Sequence, residues 1–108
     1  MAEIDARLES EMTPDRKLRL GRIQFRSWRR GFREADMVLG PFSDQVAPTL
    51  TDAELDVFER LIEEEDQWLY GWIIERDLTP PEFETPVMAK VRAFMRAHVA
   101  AEVSKGIG

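Results

Sequence analysis

The sequence predicts an all-α fold, a small single-domain bundle of five helices. Three observations predict it. Apolar residues recur along several segments with the period of one helix face. Helix-start chemistry stands at Thr51 and Thr85. No stretch alternates apolar and polar residues over strand length, and no Asn-Gly or Asp-Gly pair marks a hairpin. With 108 residues, 44% of them hydrophobic, the chain has the length of one domain and enough apolar side chains for one modest core.

Residues 1–14 are polar and read as a mobile lead that ends at Thr13-Pro14. From Asp15 to Arg30 a first helix is expected, because Leu18, Gly21, Phe25 and Trp28 form one apolar stripe. Leu20 and Ile23 lie off this stripe and offer a second contact face. Gly31 then suits a left-handed helix cap, and the arginines before it stand where the helix dipole favours cations. A second helix, about 32–42, carries Phe32, Ala35, Val38, Leu39 and Phe42 on one side, with Gly40-Pro41 marking a frayed end or a kink.

A loop through Val46, Ala47 and Pro48 leads to the third helix, which starts near Asp52. Thr51 and Glu54 have the spacing of a capping box, and Leu50 and Leu55 that of a hydrophobic staple. Leu55, Phe58, Leu61 and Ile62 form its buried side, and the acidic run Glu63, Glu64, Glu65 faces water. Asp66 caps a short fourth helix, "QWLYGWIIE", which is apolar nearly all round. In the following loop Thr79 and Glu82 are expected to cap a turn. Thr85 as N-cap and Pro86 as first residue open the fifth helix, with Val87, Val91, Phe94 and His98 along one face. The domain is thus expected over 15–103, with a frayed tail at 104–108.

Several function classes lack their signatures. The chain has no cysteine and one histidine, so neither a disulfide nor a Cys/His zinc site can be assembled. There is no Gly-rich phosphate loop, nucleophile elbow or dinucleotide fingerprint. His98 has no orienting partners in sequence and reads as structural, so an enzyme is not expected. The first residues lack the apolar core of a secretory signal, and no segment reaches the ~18 apolar residues of a membrane span. The expectation is a soluble bacterial protein of the cytoplasm. A formal charge of -6 argues against nucleic acid as partner.

One segment stands apart, "RRGFRE", where Arg29, Arg30 and Arg33 flank Gly31 in an otherwise acidic chain. If the second helix begins near Phe32, Arg30 and Glu34 are four apart and project from one solvent-facing side, opposite Phe32. Arginine before glutamate is the weaker order for such a pair, and cations at a helix start oppose the dipole. Spacing alone leaves two readings open: an interaction site, or ordinary surface charge.

"RRGFRE", then "LGPF", then "LTDAELDVFERLIE" and acidic residues before "LYGWI" resemble the succinate dehydrogenase assembly factor family, the flavinylation factors of bacteria and mitochondria. The resemblance extends over roughly residues 16–99. Trp68 departs from it, since the family often has an acidic residue there. The resemblance implies a five-helix chaperone that binds the flavoprotein subunit of succinate dehydrogenase, and often of fumarate reductase, and promotes its covalent flavinylation. FAD would be attached to the client and not held stably by the factor, which would be a monomer when free. It also implies a partner-binding surface at Arg29, Arg30, Gly31, Arg33 and Glu34, with Pro41, Phe42 and Asp66. Two other classes remain to be weighed. One is a direct FAD carrier using Trp68, Tyr70 and Trp72. The other is an antitoxin-like regulatory module using the arginines among residues 26–33.

Overall fold

The computed structural model describes residues 13–107, with backbone only at residue 100 and at residues 102–107. Five α-helices follow one another: α1 Pro14–Trp28, α2 Arg33–Gln45, α3 Asp52–Ile62, α4 Asp66–Ile73 and α5 Pro86–Ile107. Short 3-10 turns at Ala47–Thr49 and Pro81–Phe83 join them, and no strand occurs among the described residues. The expected lead lies outside the described residues as far as residue 12. Its last two residues start α1, where the Thr13 hydroxyl accepts from the Arg16 amide at 3.3 Å and Pro14 takes the first helical turn. At the other end α5 continues to Ile107, beyond the expected boundary at 103.

The caps read from sequence at Thr51 and Thr85 are formed. Thr51 and Glu54 make the reciprocal capping box, while the Thr85 hydroxyl accepts from the Met88 amide at 3.1 Å. Leu50 and Leu55, the staple pair, are both buried. Thr79 and Glu82 do not cap the turn between α4 and α5. The Thr79 hydroxyl instead accepts from Arg92 at 2.7 Å, and Arg92 also donates to the Trp72 carbonyl at the end of α4.

The core is built around α2. Phe42 lies between Phe58 of α3 and Phe94 of α5, with ring centroids 5.1 and 5.7 Å apart. That packing explains why α2 runs through Pro41 to Gln45 where the sequence suggests a fraying end. The missing amide at Pro41 costs one backbone hydrogen bond, and the buried side chains at Leu39, Phe42 and Ser43 outweigh it. His98 stacks on Phe94 with rings 5.7 Å apart, consistent with a packing role.

On α1 the expected core stripe is corrected. Leu20, Ile23 and Ser27 face the core, whereas Leu18 is 64%, Phe25 60% and Trp28 43% exposed. Both stripes have helical spacing. Leu20, Ile23 and Ser27 are the face turned to the core, and Trp28, at the edge of that face, lays its ring on Gly40, where a β-carbon would stand 2.3 Å away.

Candidate functional site

The site grows from the break between α1 and α2. Helix α1 stops at Trp28, and Arg29 leaves helical geometry with φ -124° and ψ 45°. Gly31 follows at φ +82°, a left-handed conformation that costs a side-chain-bearing residue about 1 kcal/mol. The chain can therefore reverse within four residues and enter α2 at Arg33. Asp36, in the first turn of α2, reaches back to accept from the Arg30 amide at 3.0 Å.

Arg30 does not lie on a solvent-facing side with Glu34, as its spacing suggests. Its side chain is only 8% exposed. The guanidinium crosses to the turn between α3 and α4, where Nε donates to Asp66 Oδ1 at 2.5 Å. Nη1 donates to the Ile62 carbonyl at 2.6 Å and Nη2 to the Glu64 carbonyl at 2.7 Å. The reason is twofold. Arg30 precedes α2, so the i,i+4 geometry of a helix does not apply to it. The last carbonyls of α3 also form the negative end of a helix dipole and need donors.

Asp66 is likewise not a cap. It is the first residue of α4, the N-cap position belongs to Glu65 with no side-chain cap bond, and the Asp66 carboxylate is turned to Arg30. Phe42 is fully buried, so its expected place on a contact surface is corrected to a place in the core. Pro41 is half-buried on α2, at a distance along the helix from the reversal.

Arg29, Gly31, Arg33 and Glu34 are exposed. The Arg29 guanidinium sits 4.7 Å above the Phe25 ring, a cation-π contact that holds it toward α1. A β-carbon added at Gly31 would meet nothing within 4 Å, so no neighbour inside the molecule requires a glycine there. Gly31 borders a cleft of about 620 Å³. The hairpin lines it with Phe25, Arg26, Arg29 and Phe32, and the turn into α4 with Glu64, Glu65 and Gln67, while Arg30 and Asp66 join the two. A cationic wall thus faces an acidic one across a groove open to solvent.

Sequence reasoning missed Phe25, Arg26, Phe32, Glu64, Glu65 and Gln67 as lining residues and Asp36 as the anchor of the Arg30 amide. The spacing of Phe25 and Arg29, four apart on a helix, was a usable signal for a shared outer face. Nothing local in the acidic run indicated that it would meet the reversal.

The sequence model of the family described as flavinator of succinate dehydrogenase matches residues 21–95. The chain is 40% identical to the FAD assembly factor SdhE of Pseudomonas putida over 60 residues, 55% of this chain and 71% of that protein. Over 90 residues it is 30% identical to the mitochondrial succinate dehydrogenase assembly factor 2 of Dictyostelium discoideum, 83% of this chain and 63% of that protein. Against the SdhE of Pseudomonas savastanoi the identity is 42% over 57 residues, 53% of this chain and 67% of that protein. No solved structure matches. The stretch matched by the family takes in both walls of the cleft, and the chain belongs to the family of succinate dehydrogenase flavinators.

Proposed function

We propose that this protein binds the flavoprotein subunit of succinate dehydrogenase, and that of fumarate reductase, and promotes covalent attachment of FAD to it. In this reading it acts in the bacterial cytoplasm, as a monomer when free, and the bond-forming groups belong to the client. The names of its relatives, FAD assembly factor and succinate dehydrogenase assembly factor, support the client. Among the described residues, no helix is long and apolar enough to cross a membrane.

One observation carries the reading furthest. Gly31 is exposed at φ +82°, with open space where its side chain would be, and exposed Arg29, Arg33 and Glu34 surround it. A partner's backbone can approach Gly31 closely, and the neighbouring charges can make charge-assisted hydrogen bonds with it. Such a binder accelerates flavinylation by preferring the client conformation that holds the acceptor side chain against the flavin. Each ~1.4 kcal/mol of that preference is tenfold in population. The alternative of a direct FAD carrier has less support, because Trp72 is buried and stacked on Phe83, and Tyr70 packs on Phe32. Only Trp68 of the three stacking candidates is exposed.

The test is a flavinylation assay with purified client, FAD and the Gly31→Arg protein, run well below its melting temperature. Covalent flavin is read by fluorescence in a denaturing gel. We expect a folded variant and strongly reduced flavinylation. Full activity of a folded Gly31→Arg protein would remove this surface from the function.

A further inference from the structure

The tie between Arg30 and Asp66 joins two turns that are remote in sequence, and one of them presents Gly31. The Arg30 guanidinium is spent on three acceptors inside the protein, one carboxylate and two carbonyls, and its side chain is nearly out of solvent. The main chain of the same residue is held by Asp36. Gly31 therefore follows a residue fixed at both its amide and its side chain. Among the three guanidinium acceptors only Asp66 carries a charge. Without it the nearly buried cation would face neutral oxygens alone, and water or a rearranged turn would have to replace the carboxylate.

We propose that Asp66 is a positioning residue: acting through Arg30, it holds the Gly31 reversal in its left-handed, exposed form and needs no client contact of its own. The proposal rests on the functional reading above for its effect on the client, and on geometry alone for its effect on the turn. Preordering of this kind raises affinity because the turn does not have to be ordered at the moment of binding.

The experiment is a double-mutant cycle with Asp66→Asn, Arg30→Gln and the double variant, together with Asp66→Glu as the charge-conserving replacement. Two quantities are read at a temperature where all are folded: affinity for the purified flavoprotein subunit, and amide hydrogen exchange at Arg30 and Asp36, whose amides are hydrogen-bonded on either side of the reversal. Amides in the middle of α5 serve as the internal control for folding. If Asp66 acts through Arg30, each single neutral variant weakens client binding by about tenfold and the double variant is no weaker than the worse single one. Exchange at Arg30 and Asp36 rises by about tenfold in the neutral variants while α5 is unchanged, and Asp66→Glu restores part of both quantities. A double variant that loses the product of the two single effects, about a hundredfold, would overturn the proposal by showing an independent contact for Asp66. Unchanged exchange at the reversal in Asp66→Asn would overturn it as well. Failure of the unaltered protein to bind the flavoprotein subunit would sink the functional reading instead, and hydrogen exchange would then decide the positioning claim by the same criterion.

Discussion

The Trp28 indole lies against the backbone of Gly40, so closely that a β-carbon at position 40 would stand 2.3 Å from Cδ2 and 2.5 Å from Cε2. Its Nε1 donates to Asp44 Oδ2 at 3.1 Å, one turn further along α2. This contact sets the spacing of the α1–α2 hairpin and hence where the reversal at Gly31 begins. Gly40→Ala must push the ring outward, and overpacking of this kind destabilises by about 1–3 kcal/mol. Urea unfolding should show that loss, and Trp28→Ala should reduce the further cost of Gly40→Ala to almost nothing. Equal costs in the two backgrounds would show that the ring does not set the spacing.

Arg30 and Glu34 should separate in stability. Removal of Arg30 leaves Asp66 and two carbonyls without their donor, and Asp66 is 27% exposed, so solvent softens the loss. Arg30→Ala is expected to destabilise by about 2 kcal/mol, below the range for fully buried pairs. Glu34→Ala, on the exposed side of α2, should stay within about 0.5 kcal/mol. Thermal melting of both variants is the measurement. Equal, small shifts would show that the Arg30 tie is loose in solution.

Glu75 ends α4 in the left-handed region at φ +60°. The Arg76 amide donates to the Gly71 carbonyl at 2.9 Å and the Glu75 amide to the Trp72 carbonyl at 3.2 Å, the two bonds of a Schellman motif. Glycine is the usual residue there, and a side chain costs about 1 kcal/mol. Glu75→Gly gives up an exposed ion pair with Arg96, 3.0 Å long, which contributes little in water. The variant should therefore be more stable, with a higher urea midpoint. A lower midpoint would mean that the ion pair outweighs the strain.

Acid should act through Glu54. Its carboxyl is held below the ordinary 4.5, chiefly by the hydrogen bond from the Thr51 amide and further by Lys90, against an opposing effect of burial. A group whose pKa is lower in the folded state contributes stability in full above its unfolded value, and loses it as pH falls through the folded value. The stability gap between the native protein and Glu54→Gln, which keeps a capping-box side chain, should therefore narrow from about pH 6 to about pH 3. Urea titrations at intervals across that range would show it. A constant gap would place the contribution of Glu54 elsewhere than in its charge.

Cap by cap, the start of α3 and α5 was readable in advance, because a cap joins residues three positions apart and depends on little else. The same signature stands at Thr13-Pro14, where the polar composition of the preceding residues hid it. The inward face of α2 was readable for a related reason: its apolar stripe has no rival around the helix. On α1 two stripes compete, and periodicity has no term that chooses between them. The choice came from tertiary packing, which turns Leu20, Ile23 and Ser27 to the core and leaves Trp28 at the edge, its ring laid on Gly40, where no side chain keeps it off. Arg30 shows the same division in the site. Its neighbours in sequence announced a charged reversal around Gly31, since a left-handed glycine is a local requirement. Its partners, Ile62, Glu64 and Asp66, lie more than thirty positions away, and only the folding of α3 back against the hairpin brings their oxygens within reach of one guanidinium. Hydrogen bonds between remote turns depend on where whole helices come to rest, and that is settled by the packing of the core around Phe42.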